Sequence, residues 1–166
     1  SFRSNTTSTL TDVDSTHFIA IAKLASPQTI LETETVAARY TSNSGQSITN
    51  TASIFKYEDL DSDTHSAYDI ATGEYLVPTS GWYDVHASSQ FVSSSTAEES
   101  RELTLLVDGT VVSNGIVTSQ FESTASINTK IHLNKDQVVK IYAYNDTTTT
   151  ASVTGAENVF SIARIK

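Results

Sequence analysis

Apolar and polar residues alternate along several short segments of this chain, and this alternation predicts its secondary structure. The clearest case is the ten-residue segment from Trp82 to Phe91. One face of it carries Tyr83, Val85, Ala87, Ser89 and Phe91, and the other carries Trp82, Asp84, His86, Ser88 and Gln90. A period of two over this length predicts a half-buried β-strand, because successive side chains of a strand point to opposite faces.

Similar patterns recur along the chain and predict about eight to ten strands with no long helix. The predicted strands are Val36 to Tyr40, Ile48 to Tyr57, Glu74 to Val77, Leu103 to Val107, Ile127 to Leu133, Val138 to Tyr144 and Asn158 to Ile165. Many short strands at regular spacing indicate an all-β sandwich or barrel.

Turn residues separate these strands. Asp108-Gly109 lies between two apolar runs and is a strong hairpin signal, because both positions tolerate a left-handed backbone. Thr72-Gly73 and Asn134 to Gln137 also predict turns. Three polar stretches are predicted to be loops: Glu58 to Ser66, Val92 to Ser100 and Thr147 to Thr150.

The N-terminal part of the sequence differs from the rest. Residues Ser1 to Thr16 are rich in Ser, Thr and Asn, and the short apolar run Phe18 to Ala22 could form a strand or one helical turn before Pro27. We therefore divide the chain into residues 1–34, a stalk remnant, linker or N-terminal extension, and residues 35–166, the β-domain. A start at Ser1 and the lack of methionine suggest a piece of a longer protein.

Composition excludes several function classes. The net charge of −9 opposes nucleic acid and anionic lipid, so neither is an expected partner. No apolar run reaches the ~18 residues of a membrane helix, so no membrane insertion is expected. The chain has no cysteine, which excludes disulfides, cysteine nucleophiles and thiolate zinc sites.

Residues 68–85 resemble a known family. In order and spacing, Tyr68-Asp69, Thr72-Gly73, Tyr75, Pro78, Gly81 and Tyr83 are similar to the early strands of the C1q-like head, a jelly roll related to tumour necrosis factor. Phe55, the turn from Leu133 to Val138 and Phe160 extend the resemblance over about Val36 to Lys166, although Lys135-Asp136 replaces the usual Gly-Asp. The resemblance implies an antiparallel two-sheet jelly-roll sandwich that assembles as a homotrimer.

Three further segments are similar to the C1q-like heads of bacteriophage virion proteins: Val36 to Tyr40, Asp63-Thr64-His65 and Phe160 to Ile165. This likeness implies a non-enzymatic trimeric head at the end of a fibre or spike on the virion surface. Its expected partners are a second and third copy of itself, other virion proteins, and a glycan or protein receptor on the host cell. The alternative is a secreted or surface-bound bacterial lectin-like module on the same fold.

Asp59, Asp61 and Asp63 are the candidate metal ligands. Alternating carboxylates suit calcium, but Thr64 and Ile70 stand where an EF-hand needs Gly and Glu. Members of the C1q family can bind calcium through loop acids, so a different Ca²⁺ site stays open. We favour a solvated acidic loop, and no other cofactor is expected.

The sequence provides no catalytic constellation. His17, His65, His86 and His132 are widely spaced, which favours surface or interface roles, with His86 and His132 on outer strand faces. The acidic pair Glu98-Glu99 lies in a polar segment and is read as solvated. No catalytic residue is therefore predicted, and an enzyme is not expected.

Outward aromatic residues are the remaining candidates for contact. Trp82 lies opposite the Tyr83 face, and Tyr142 and Tyr144 share a face. Such rings could stack on a sugar or pack against protein. We favour packing at a subunit interface or against the second sheet over ligand contact.

Overall fold

The structure is a computed structural model, and it describes residues 30–92, 97–147, 149–150 and 157–165. The predictions for Ser1 to Thr16, His17, Phe18 to Ala22 and Pro27 lie outside these residues. The proposed division of the chain at residues 34 and 35 stays a prediction.

The described residues contain thirteen β-strands and no helix. In chain order they are β1 (Ala37–Thr41), β2 (Ser47–Ile48), β3 (Ser53–Ile54), β4 (Asp59–Asp63), β5 (Tyr68–Asp69), β6 (Glu74–Leu76), β7 (Gly81–Phe91), β8 (Glu99–Val107), β9 (Thr110–Ser119), β10 (Ser123–Leu133), β11 (Val138–Asn145), β12 (Thr149–Thr150) and β13 (Val159–Arg164). Several of these are only two or three residues long, which explains why the pattern predicted fewer strands.

The strands form two antiparallel sheets that pack face to face. The first sheet has the order β10-β7-β13-β1-β4, and the second has the order β5-β6-β11-β8-β9, with β3 also paired to β11. Strands β2 and β12 form a separate two-stranded pair. This arrangement confirms the predicted all-β, two-sheet architecture.

The long central strand follows the predicted alternation. Tyr83, Val85, Ala87, Ser89 and Phe91 of β7 are all buried between the sheets. The core continues into an aromatic cluster around Phe160, whose ring lies 5.4 Å from Tyr68 and 5.8 Å from Tyr57, centre to centre. Burial raises the pKa of Tyr68 to about 12, because the ionised phenol would lose its hydration.

The predicted turns are present. Asp108 and Gly109 connect β8 to β9 with φ of 49° and 78°, the left-handed conformation that a tight hairpin requires. Asp136, in the turn before β11, has φ of 67°. Asp tolerates this region better than most residues, so it can serve there without a glycine.

Two predicted loops contain strands instead. Asp59–Asp63 forms β4 at the edge of the first sheet, and Glu99 and Ser100 begin β8. β4 is mostly solvent-exposed, so burial imposes no apolar alternation that the sequence could reveal. Part of the third predicted loop, Thr149–Thr150, pairs with Ser47–Ile48.

The two ends of the sandwich differ. Val36 accepts a hydrogen bond from the amide of Arg164 at 2.8 Å, so the domain's first strand starts beside the end of its last strand. We call this the proximal end. Strand β7 runs from Gly81 at this end to Phe91 at the opposite, distal end, where Phe91 pairs with Ser123.

Candidate functional site

The three candidate metal ligands on β4 bind different protein groups. Asp59 accepts hydrogen bonds from the backbone and side-chain nitrogens of Asn43, at 3.0 and 2.8 Å. Asp61 pairs with the Arg39 guanidinium at 2.7 Å. A β-bulge opposite Arg39 and Tyr40 leaves Asp61 without a strand partner, which breaks the regular alternation of these carboxylates.

Asp63 organises the following turn. Its carboxylate accepts hydrogen bonds from the amides of Ala67 and Tyr68, at 2.9 and 3.1 Å, and from the Tyr40 hydroxyl at 3.0 Å. Burial and then this contact raise the pKa of Tyr40 to about 12. In the described part of the chain no group of three or more His, Asp or Glu side chains could hold a metal ion. Calcium binding at Asp59, Asp61 and Asp63 stays a prediction.

The three described histidines are far apart in the fold. His65 follows β4 and lies 3.3 Å from the carboxylate of Glu34. His86 and His132 lie on the outer face of the first sheet, as predicted. His86 makes a 2.9 Å hydrogen bond with Asn128, and the ring of His132 contacts Trp82.

Trp82 lies on the outer face of the first sheet and is 57% exposed. Its ring meets that of His132 edge-on at 5.6 Å. Neighbouring residues of a strand point to opposite faces, so Trp82 points away from the buried Tyr83 and from the second sheet. The prediction that Trp82 packs against the second sheet is therefore wrong. Its predicted place in a subunit interface stays a prediction.

Beside Trp82 the outer face of the first sheet forms a depression of about 320 Å³. Small residues of β13, Ser161 and Ala163, lie in it between larger side chains of β7 and β10. Asp84 faces Lys130 across the strands at 3.9 Å. The lining of the depression thus offers hydrogen-bonding groups from Asp84, His86, Asn128 and Lys130, and Trp82 lies outside it on the same face of β7.

Tyr142 and Tyr144 lie half-buried on the outer face of the second sheet, consistent with their predicted shared face. Tyr142 pairs with Thr104 and Tyr144 with Glu102 on β8. Neither ring is packed in the core.

Glu98 and Glu99 have different environments, and the prediction that both are solvated is wrong for Glu99. Glu98 is exposed, whereas Glu99 is 1% exposed and pairs with the fully buried Arg101 at 3.0 Å. Glu99 also accepts hydrogen bonds from Thr147 at 2.7 Å and Asn145 at 3.3 Å. The Thr147 bond, followed by those from Arg101 and Asn145, lowers the pKa of Glu99.

Arg101 connects this pair to the β9–β10 turn. Its guanidinium donates to the Phe121 carbonyl and, at 2.6 Å, to the Ser123 hydroxyl. The amide of Phe121 is bound by the Ser119 hydroxyl at 2.9 Å. The buried Arg101 and the Ser119 hydroxyl therefore hold the backbone of this turn, while the Phe121 side chain is 69% exposed.

Buried polar groups are concentrated at the distal end. Among the described residues, all eight buried polar or charged side chains lie in the distal half of the sandwich: Ser42, Ser88, Ser89, Glu99, Arg101, Asn145, Thr149 and Asn158. Asn158 binds both Ser89, at 3.0 Å, and the Ser42 carbonyl, at 3.1 Å. The apolar core holds the sheets together, and a polar network holds the distal loops.

Comparison with solved structures reveals likenesses in fold. The chain is similar to the structure of Eiger TNF from S. frugiperda, with a TM-score of 0.64 and 11% identity over 80% of this chain and 93% of that one. It is also similar to murine APRIL, with a TM-score of 0.61 and 8% identity over 80% of this chain and all of that one. The globular domain of zebrafish complement 1qA matches with a TM-score of 0.57 and 16% identity, over 80% of this chain and 98% of that one.

The fold is a jelly roll of the TNF and C1q type. The resemblance in the sequence predicted this fold correctly. No protein-family model matches the chain, and no curated protein matches its sequence. At these identities the likeness shows the fold alone.

The distal network of the jelly roll is what sequence reasoning missed. Glu99, Arg101 and Asn145 gave no periodic signal, and two of the three groups that bind Glu99, Asn145 and Thr147, lie 46 and 48 positions away. The available signal was Arg101 itself, a charged residue two positions before Leu103 and therefore on the same strand face as the apolar residues that follow. A charged side chain on the buried face of a strand needs a buried partner, because burying an unpaired charge is costly.

Within the described residues no helix is long and apolar enough to cross a membrane.

Proposed function

We propose that this jelly roll is the non-enzymatic, trimeric head of a bacteriophage fibre, spike or other virion-surface protein. Its role would be attachment to the host surface, trimerisation of the fibre, or both. The supporting observation is that the two ends of the sandwich differ. The first strand of the domain starts beside the end of its last strand at the proximal end, which leaves the distal end for contact. The sequence resemblance of Val36 to Tyr40 and Phe160 to Ile165 to phage heads supports the same role.

Exposed apolar side chains support association between copies. Trp82, Leu60 and Ile116 are each more than half exposed in the single chain. They lie on β4, β7 and β9, and side chains of this size are costly to leave in water. Three identical heads would also raise avidity, because three weak sites act on one surface.

Light scattering at micromolar concentration tests the assembly. The expected mass is three times 17.9 kDa, or about 54 kDa. A mass of 17.9 kDa under these conditions would contradict the proposal. Binding of the isolated head to cells of a candidate host, and competition with infection, would then test attachment.

The alternative, a bacterial secreted or surface lectin-like module, is favoured by one observation. The depression is lined by Asp84, Lys130 and His86, and Trp82 lies outside it on the same face of β7; aromatic and polar groups on one face suit a sugar ring. A glycan array separates the two candidates. Glycan binding that is lost in Trp82→Ala while the oligomeric mass is unchanged would favour the lectin.

A further inference from the structure

We infer that the distal surface around Phe121 is a docking surface for a protein segment that combines apolar side chains with Lys or Arg. This inference rests on the proposed function as a binding head. The Phe121 surface is defined by five exposed residues: Val92, Glu98, Phe121, Glu122 and Asp146.

The residues of the Phe121 surface are brought together by the fold. Val92 follows Phe91, which pairs with Ser123, so Val92 lies beside the β9–β10 turn. Glu98 precedes Glu99, whose strand partner is Ser119.

Asp146 connects the β11 end to the same surface. Its carboxylate accepts a hydrogen bond from the Ser100 amide at 3.0 Å. Three connections between strands, β7–β8, β9–β10 and β11–β12, thus meet at one place.

Phe121 has the properties of a preformed anchor. At 69% it has the highest exposure among the large apolar side chains of the described residues. Its backbone is nevertheless held on both sides, by Ser119 at the amide and by Arg101 at the carbonyl. A turn that is already ordered loses little conformational entropy on binding, so more of the contact energy appears as affinity.

The buried network accounts for this order. A buried ion pair such as Glu99–Arg101 contributes little net stability compared with apolar packing, because both charges must be desolvated. Here it fixes the shape of the turn that carries an exposed phenylalanine. The role of the Glu99–Arg101 pair in this fold is therefore to hold the turn in the conformation that exposes Phe121.

The charges around Phe121 define the partner. Glu98, Glu122 and Asp146 are exposed and negative. Arg101 is the only basic residue between positions 92 and 129, and it is buried and paired; from Ile141 to Ala163 the sequence has no Lys or Arg. An apolar side chain surrounded by acidic residues is complementary to a segment whose apolar side chains are flanked by basic residues.

A peptide array tests the inference with defined probes. Short synthetic peptides that combine Leu with Arg or Lys are printed beside counterparts in which Asp or Glu replaces the basic residues, and beside Ser-for-Leu versions. The labelled head should bind the basic Leu peptides in preference to both counterparts. Binding should weaken at high salt, because charge steers the association.

Variants locate the surface. Phe121→Ala should reduce binding at least about tenfold, as expected for a central aromatic anchor. Leu76→Ala removes a half-exposed side chain on the outer face of the second sheet and should leave binding unchanged. The double variant Glu98→Lys, Glu122→Lys should shift the preference towards acidic peptides.

The outcomes separate this inference from the proposed function. Loss of binding in Phe121→Ala with the trimer mass intact supports the docking surface. The docking surface is overturned if Phe121→Ala binds as well as the parent, if the head prefers acidic peptides, or if it binds no probe. If the mass in those cases is that of a trimer, the proposed function as a trimeric head is not contradicted. A fall in oligomeric mass in Phe121→Ala also overturns the docking surface, because Phe121 would then contact another copy.

Discussion

Glu99 and Arg101 show how strongly a residue's role depends on its neighbours in the fold. Two adjacent acidic residues in a Ser-rich stretch suggest solvent exposure, which holds for Glu98 alone. Strand β8 places alternate residues between the sheets, so Glu99 and Arg101 both enter the interior and must satisfy each other. The sequence reveals which residues are charged, but not which distant groups meet them.

Removing one member of this pair should destabilise the protein strongly. We expect Glu99→Gln or Arg101→Met to lower the free energy of unfolding by about 3–5 kcal/mol, because a buried charge would lose its partner. Urea unfolding at fixed protein concentration measures this change. The matched control is Glu98→Gln, which alters an exposed carboxylate and should stay within about 0.5 kcal/mol of the parent.

The same pair predicts how stability depends on pH. Folding lowers the pKa of Glu99 below its ordinary value of 4.5, so its contribution is fully present above that pH. The contribution is lost as the pH falls below 4.5 and through the pKa of the folded state. The parent should therefore lose more stability than Glu99→Gln over this acid range, and parallel curves would contradict the assignment.

At the level of elements, central strands were predictable and edge strands were not. β7, β10 and β11 bury alternate side chains, so their sequences alternate. β4 is an exposed edge strand, and the pair β2 and β12 is too short for a period to emerge. What the sequence could not provide was strand pairing over long separations, which includes the contacts that assemble the distal network.

The two sheets approach each other closely where Gly115 of β9 passes Ser126 of β10. A Cβ atom placed on Gly115 would lie 1.9 Å from the Ser126 carbonyl oxygen, which no side chain can do without moving a strand. Gly115→Ala should therefore lower the free energy of unfolding by about 3 kcal/mol or more. Thermal and urea unfolding would measure the loss.

Gly109 provides the control for this prediction. It has open space around its Cα and a left-handed φ of 78°, which Asn tolerates. Gly109→Asn should cost less than about 1 kcal/mol. If Gly115→Ala is equally mild, β9 and β10 are not in close contact in solution.

On the scale of the whole molecule, Trp82 is the most informative exposed residue. If three copies associate through the outer face of the first sheet, burying this ring would contribute about 1.5–3 kcal/mol per subunit. Trp82→Ala should then shift the oligomer towards single chains on dilution, measured by light scattering. Leu76→Ala, on the outer face of the other sheet, should leave the mass unchanged.

Tryptophan fluorescence gives an independent reading of the same contact, because Trp82 is the only tryptophan in the chain. Its emission should shift to shorter wavelength as the copies associate and exclude water. An emission typical of a fully hydrated ring, together with a trimer mass, would place the interface elsewhere.

The hydrogen bond between Val36 and Arg164 has a practical consequence for engineering. Because these two positions touch, a short linker could join them, and new termini could be opened at the Asp108-Gly109 hairpin without cutting a sheet. Such a circular permutant would carry fused cargo on the hairpin instead. Glu99 at the start of β8 pairs with Ser119 near the distal β9–β10 turn, so the Asp108-Gly109 hairpin also lies at the proximal end. Cargo fused there would leave the distal surface unobstructed.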